Sequence, residues 1–423
     1  MNNYFLAIIQ YLLIANLTAS GQSSESFLNK LPVEFQGFIE NRTGVLIKND
    51  PYQPKNFILG ETRLQLEAAW GTKWVELRVK SDFRYDYHRE KFLVDLREAN
   101  ALFLPTNWLD IKIGRQVLTW GKGDMLFIND LFPKDWRSFF SGREMSYLKA
   151  PSDAAKITFN TKWAQINAIY IPEFNPDRYV FGERISFFDP FINNFRGAEN
   201  PARMREPNEW FQDAEYAWRI QKYIKGFDIA FYGYYGYWKS PSGVDMNAGQ
   251  YFFPKLQVHG LSLEGRMLKG IFSFEAGHYN STDDPDGTDM LIKNSDLRFL
   301  AGYSRDLKKD FSIGVQYYIE YMLQHNALVN NLSPGMEAPD HAHDFLTLRL
   351  TKLFMSQKIN VSFFGFYSIS DVDAYLRPNV SYKIIDNLTA DVGANIFFGE
   401  RKTSFLSQFQ HNNNVYGGIR FSF

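Results

Sequence analysis

The sequence predicts an all-β chain, a single transmembrane antiparallel β-barrel of about 18 strands with long outer loops. Three observations carry this expectation. Apolar and polar residues alternate with a period of two in segment after segment. The segments run about 10 to 15 residues, long for a soluble sandwich and the right length to cross a membrane at a tilt. Their connections alternate between short and long, as turns and outer loops of a barrel do.

Taken in chain order, Val75, Leu77, Val79 and Phe83 oppose Glu76, Arg78, Lys80, Asp82 and Arg84. Ala214, Tyr216, Trp218 and Ile220 oppose Asp213, Glu215, Arg219 and Gln221. Phe311, Ile313, Val315, Tyr317, Ile319 and Tyr321 oppose Ser312, Gly314, Gln316 and Glu320. Towards the end, Val372, Ala374, Leu376, Val380 and Tyr382 oppose Asp373, Tyr375, Arg377 and Asn379, and Leu388 to Phe398 repeats the pattern. Short connections fall near Gly71-Thr72, Pro105-Thr106, Asn160-Thr161, Lys225-Gly226, Leu268-Lys269, Leu307-Lys308, Ser356-Gln357 and Asp386-Asn387. Longer ones lie between them, the longest at Gly121 to Pro151 and Glu173 to Trp210. With both termini on one side the count is even, and boundary errors of a few residues leave 16 strands as the alternative.

Composition fits. The 423 residues are 45% hydrophobic and 17% aromatic, yet mean hydropathy is −0.32. A barrel reconciles the two, because half of each strand faces water and aromatic girdles mark the two interfaces. No later run of about 20 apolar residues offers a membrane helix. The net charge of −1 points away from nucleic acid. The absence of cysteine excludes a disulfide framework, a thiolate zinc site and a lipid anchor on cysteine.

Residues 1–20 are expected to be a secretory signal peptide, cleaved near Ser20-Gly21, although its start lacks Lys and Arg. Residues 21–32 then form a short periplasmic segment and 33–423 the barrel, with no room for a separate plug domain. Any plug must come from the loops. At the other end, Ile419, Phe421 and Phe423 share a face of the last strand and resemble the signal recognised by the outer-membrane assembly machinery, which is thus an expected partner besides outer-membrane lipid.

From Leu93 to Asp135 the chain carries LREA, then IGRQ, then WGKGD and an acidic-hydrophobic stretch. This order resembles the alginate-export-type porins and a related outer-membrane family. The resemblance implies a Gram-negative outer-membrane location and a channel for diffusion or export of small hydrophilic solutes, anionic or saccharide-like ones among them. It implies a monomer, with a trimer as the alternative. A structural or partner-binding barrel and a barrel enzyme are the competing readings. No Ser-His-Asp set stands out, so no enzyme and no cofactor are expected.

The expected lumen and constriction residues are Arg78, Lys80, Asp95, Arg97, Lys112, Arg115, Arg219, Arg266, Arg298, Arg349, Arg377 and Arg420. They either form charged rings that select ions or pair across strands to hold up a polar wall. Arg115 breaks the apolar face of Ile111 and Ile113, so a bulge is expected near Gly114 that turns Arg115 inward towards Arg97 and Asp95. Arg97-Glu98 has the same phase problem. The long loops hold Trp136, Phe139 and Phe140, beside a short helix near Phe132 to Phe140, and Phe187, Phe188, Phe191 and Phe195. Such aromatic content predicts that at least one loop folds into the barrel; the alternative is an external cap. Asp283, Asp286 and Asp289 form a weak metal candidate without the closing Glu of an EF-hand loop. His341 and His343 are two residues apart but lack further ligands.

Overall fold

The computed structural model describes residues 33–334, 336 and 338–423. The expected signal segment 1–20 and the segment 21–32 lie outside these residues. Eighteen antiparallel strands form one closed sheet. The wall runs β1 (Glu34–Leu46), β2 (Phe57–Gly71), β3 (Val75–Asp86), β4 (Lys91–Thr106), β5 (Leu109–Val117), β6 (Pro151–Asn160), β7 (Gln165–Ile171), β8 (Glu215–Ile224) and β9 (Phe227–Tyr237). It continues with β10 (Lys255–Met267), β11 (Gly270–Ser281), β12 (Asp296–Lys308), β13 (Phe311–Met322), β14 (Ala342–Phe354), β15 (Ile359–Ser368), β16 (Asp373–Ile385), β17 (Leu388–Phe398) and β18 (Asn414–Ser422). Each strand pairs with the next, and β18 returns to β1 from Phe38↔Ser422 to Leu46↔Asn414. Beyond that ladder Gly37 and Phe423 exchange both backbone hydrogen bonds, at 2.9 and 3.0 Å. Closure removes the open edge that hydrocarbon cannot solvate.

The alternation keeps its predicted phase. Val79, Phe231, Val392 and Ile419 point outward and are about half exposed. Their strand neighbours Lys80, Tyr232, Asp391 and Arg420 point inward. Tyr216, Tyr321, Tyr367 and Phe398 are exposed near the loop end of the outer face, and Trp74, Trp108, Trp163 and Tyr223 near the turn end. These are the two aromatic girdles of a membrane barrel. Among the described residues no helix is long and apolar enough to cross a membrane.

All turns at one end are two to four residues long. Lys225 and Gly226 show why so few suffice: φ of 48° and 92° gives the tight reversal whose twist matches the flanking strands. All long connections lie at the other end, as the sequence predicts.

The bulge is displaced from its expected place. Gly114 does adopt a φ of +115°, yet pairing through it continues without a shift, Ala99↔Arg115 on one side and Arg115↔Asp153 on the other. The extra residue sits instead in β4, where Lys80 pairs Glu98 and Ser81 pairs Leu96, leaving Arg97 unmatched. Arg115 therefore stays in phase with Ile113 and forms a two-pronged ion pair with Asp153 at 2.9 and 2.6 Å. Its direct partner is thus Asp153 rather than Asp95, which Arg178 holds at 2.7 Å.

Candidate functional site

β5 stops early at Val117, and residues 118–150 run into the lumen. Their polar groups meet the inner wall strand after strand. The Glu275 carboxylate on β11 accepts the backbone N–H groups of Lys122, Gly123 and Asn129 and the Asn129 side-chain amide. Lys122 reaches Asp228 on β9 at 2.7 Å, and Asp124 pairs with Arg349 on β14. Tyr279 on β11 donates to the Ile128 carbonyl at 2.5 Å. Further along, Arg377 on β16 donates to the carbonyls of Phe139 and Arg143 at 3.1 and 2.8 Å. Asn395 and Asn414 share the Phe140 carbonyl, and Arg42 on β1 holds that of Gly142 at 3.0 Å. Arg143 pairs with Glu61 on β2 at 2.7 Å, and Arg97 on β4 donates to the Lys149 carbonyl at 2.9 Å. An irregular segment inside a protein must satisfy its backbone polar groups, and here inward-facing side chains do so.

Apolar packing fixes the same segment. Helix α1 (Trp136–Ser141) begins where the Asp135 carboxylate accepts the Ser138 N–H at 2.8 Å. It lays Phe139 and Phe140 against Tyr375, Phe397 and Phe409, with ring centroids 4.8 to 5.8 Å apart. Gly142 ends the helix at φ +89°, in the left-handed region that favours glycine, and a Cβ there would sit 2.3 Å from the Tyr416 ring. Gly142→Ala is expected to cost the folded barrel about 1–3 kcal/mol through overpacking, read as a lower urea midpoint in lipid vesicles. An unchanged midpoint would contradict this seat for the helix.

The second long loop, 172–214, lies over the first. Asp177 accepts the Lys134 N–H at 2.7 Å and the Trp136 indole at 2.9 Å. Burial pushes the Asp177 carboxyl above the usual range, the ammonium of Lys134 pulling the other way. Arg178 bridges to Asp95 on the wall and to Asp135, and Arg184 to Asp86. Phe187 and Phe195 are buried, and Phe195 stacks on Tyr52 of the first loop-end connection at 4.9 Å. Phe188 lies edge-on to Phe195 and Phe191 edge-on to Tyr251. Both sequence alternatives are thus realised, each by a different loop: Trp136, Phe139 and Phe140 belong to an inserted segment, and the Phe187–Phe195 group to a lid.

Most of the expected lumen cations are occupied. Arg78 and Lys80 converge on Glu67 at 3.5 and 2.7 Å. Arg298 is held by Asp296 and Glu320, and Arg420 by Glu40 and Glu144. Arg219 lies over the Trp120 ring at 5.6 Å. Lys112 faces Lys156 across β5 and β6, and Arg266 is exposed towards the turn end. Sequence reasoning missed Glu61, Arg137, Arg143, Tyr147 and Arg184. The available signal was Arg143-Glu144 between Phe140 and Tyr147, charge set among aromatics within a loop.

Two cavities beside the loops lie against β1–β4, the larger of them also against β18. An outer cavity of about 90 Å³ is lined by six arginines, Arg84, Arg89, Arg137, Arg143, Arg178 and Arg184, with Asp86, Asp135 and Glu183. A larger cavity of about 510 Å³ on the turn side is lined by Gln65, Glu67, Lys80, Arg97, Glu144, Tyr147 and Arg420 among others. Asp283 and Asp289 accept backbone N–H groups of Lys255 and Leu291, as turn residues do. A different trio, Asp340, His343 and Asp371, brings its ligand atoms together, but Arg401 already bridges the two carboxylates at 2.8 and 3.4 Å. His341 stacks on His325 instead of joining His343.

No protein-family model matches the chain, and no curated protein does. Solved structures match in fold. OccAB3 of Acinetobacter baumannii gives a TM-score of 0.57 at 9% identity, covering 92% of this chain and 99% of that one. OccD3 (OpdP) of Pseudomonas aeruginosa gives 0.55 at 10%, covering 92% and 91%. OccK5 (OpdH) of the same organism gives 0.54 at 9%, covering 92% and 96%. These are outer-membrane porins, and the likeness at such identity is one of fold. The chain is an 18-stranded β-barrel of the Gram-negative outer-membrane type. The alginate-export-type resemblance of Leu93 to Asp135 finds no counterpart among these matches.

Proposed function

We propose that this barrel is an outer-membrane channel for small hydrophilic solutes, anions preferred, whose route follows the β1–β4 wall past the inserted loop. The observation that carries the reading is the arginine-lined outer cavity. Four of its six cations are paired closely: Arg89 with Glu183, Arg143 with Glu61, Arg178 with Asp95 and Arg184 with Asp86. Two are not. Arg84 comes no closer than 3.8 Å to Glu61, which Arg63 and Arg143 already share, and the buried Arg84 Nε has no partner. Arg137 has no carboxylate in ion-pair range among the described residues and lies over the Phe181 ring at 5.4 Å. Guanidinium groups with spare donors, facing a cavity the size of a carboxylate or phosphate, concentrate anions there. In this reading the turns lie in the periplasm, the loops outside, and Phe423 serves in assembly. The saccharide-like part of the solute class draws on the alginate-export-type resemblance.

In planar bilayers under a KCl gradient the reversal potential is expected to show chloride preferred over potassium. The Arg84→Ala/Arg137→Ala double variant should lose most of that preference. A cation-selective wild type would sink the anion reading. A second reading, a structural or partner-binding barrel, is favoured by the apolar packing that fills the loop half of the lumen. Silence of the pure protein and of a Tyr147→Ala variant alike, across voltages and salts, would decide for it.

A further inference from the structure

The two cavities share one wall, and its register says where they are divided. Down β2 and β3 the inward pairs are Glu61↔Asp86, Arg63↔Arg84, Gln65↔Asp82 and Glu67↔Lys80. Arg84 and Asp86 line the outer cavity; Gln65, Glu67 and Lys80 line the inner one. The division therefore falls at the rung of Arg63, Gln65 and Asp82. One side chain of the inserted loop reaches that rung. Tyr147, 5% exposed, lies under the Arg63 guanidinium at 3.9 Å and the Arg97 guanidinium at 4.8 Å from its ring centroid. Its hydroxyl accepts from the Gln65 amide at 3.0 Å. The segment carrying it is tied at both sides: Arg143 to Glu61, Glu144 to Arg420, and the Ser146 and Lys149 carbonyls to Arg97. The ring leaves by a shift of the four-residue turn Met145–Leu148, in which the Ser146 carbonyl gives up its 3.5 Å contact with Arg97.

We propose that Tyr147 is the gate of the channel, the residue that sets its width and charge preference at the junction of the two cavities. This rests on the channel reading above. With the ring in place the cavities are separate, and the faces of Arg63 and Arg97 are covered by an aromatic surface, a favourable cation–π contact. With the ring swung aside the cavities join. The two guanidinium groups then face the passing solute, so the opened state favours a small anion such as a carboxylate or phosphate.

The test uses Tyr147→Ala, Tyr147→Phe and Tyr147→Cys in planar bilayers, with folding checked by heat-modifiable gel migration. Tyr147→Ala is expected to raise single-channel conductance at least twofold and to shift the reversal potential further towards anions. Tyr147→Phe, which keeps the ring, should stay near wild type. Because the chain has no cysteine of its own, Tyr147→Cys gives a single thiol. A charged methanethiosulfonate reagent should label it from either side and reduce the current. A conducting wild type with Tyr147→Ala unchanged in conductance and selectivity overturns the gate and leaves the channel standing, as does a Tyr147→Cys variant whose thiol labels without altering current. A silent wild type with a conducting Tyr147→Ala supports a closed gate. Silence of both overturns the channel and its gate together.

Discussion

Replacing Lys122 to Tyr147 with a short Gly-Ser linker is expected to raise single-channel conductance several-fold. Barrels of this strand number enclose a water-filled lumen unless something occupies it. Here the occupant is one loop. Its apolar side chains, Ile128, Phe132, Phe139 and Phe140 among them, pack against inward residues such as Tyr375 and Phe397 in a continuous core. Its backbone is pinned to strands as far apart as β11 and β1. The ladder itself does not depend on it, because among the described residues no wall strand pairs with 122–147, whose one β-bridge is Lys134 to Lys149 of the same loop. Wall groups that lose a partner, Glu275, Arg349 and Arg377, become hydrated when water enters, so the cost of stranded charges is avoided. The excised protein should still show heat-modifiable migration on a gel. Deleting Phe187 to Arg205 should raise conductance less, because that loop rests on the first and leaves the lumen core in place. Equal conductance of wild type and the 122–147 excision would show that solute passes by another route.

The wall was legible in the sequence and the lumen was not, for one physical reason. Strand phase is a local property: Leu388 to Phe398 alternates because each residue meets lipid or lumen according to its parity alone. The same holds for Val415 to Phe423, and short turns such as Lys225-Gly226 follow from backbone geometry. Arg97-Glu98 betrayed its bulge by breaking parity. Arg115 broke parity too, but without a bulge, because Asp153 directly opposite neutralises it; sequence shows the break and hides the partner. The roles of the inward cations depend on contacts between residues far apart in the chain. Arg377 serves a carbonyl 238 positions away, at Phe139. Nothing in the spacing around Arg377 separates a pore-lining cation from a rivet for a loop. The aromatic runs at Trp136 and Phe187 both announced that they must be buried. Which one entered the barrel was decided by where β5 ends.

Glu61→Ala is expected to cost the folded barrel about 3–5 kcal/mol, the range for removing one partner of a buried ion pair. Glu61 is 1% exposed and its carboxylate holds Arg63 at 2.5 Å and Arg143 at 2.7 Å, with Arg84 at 3.8 Å. Without it three guanidinium groups are left close together. Arg63 keeps Asp82 at 2.7 Å, but Arg143 has no second carboxylate within reach among the described residues. Arg143 is also the upper tie of the turn that carries Tyr147, so the same variant should show flickering of the open current that wild type lacks. Glu61→Gln keeps an acceptor and the shape of the side chain, and should fall between wild type and Glu61→Ala. The comparison that isolates burial is Arg78→Ala. Arg78 is half exposed and 3.5 Å from Glu67, so its loss should cost about 1 kcal/mol or less. Urea unfolding in lipid vesicles, followed by tryptophan fluorescence, measures all three. Should Glu61→Ala unfold with the midpoint of Arg78→Ala, the buried network is not what anchors the loop. The apolar seat of Phe139 and Phe140 would then have to hold it alone.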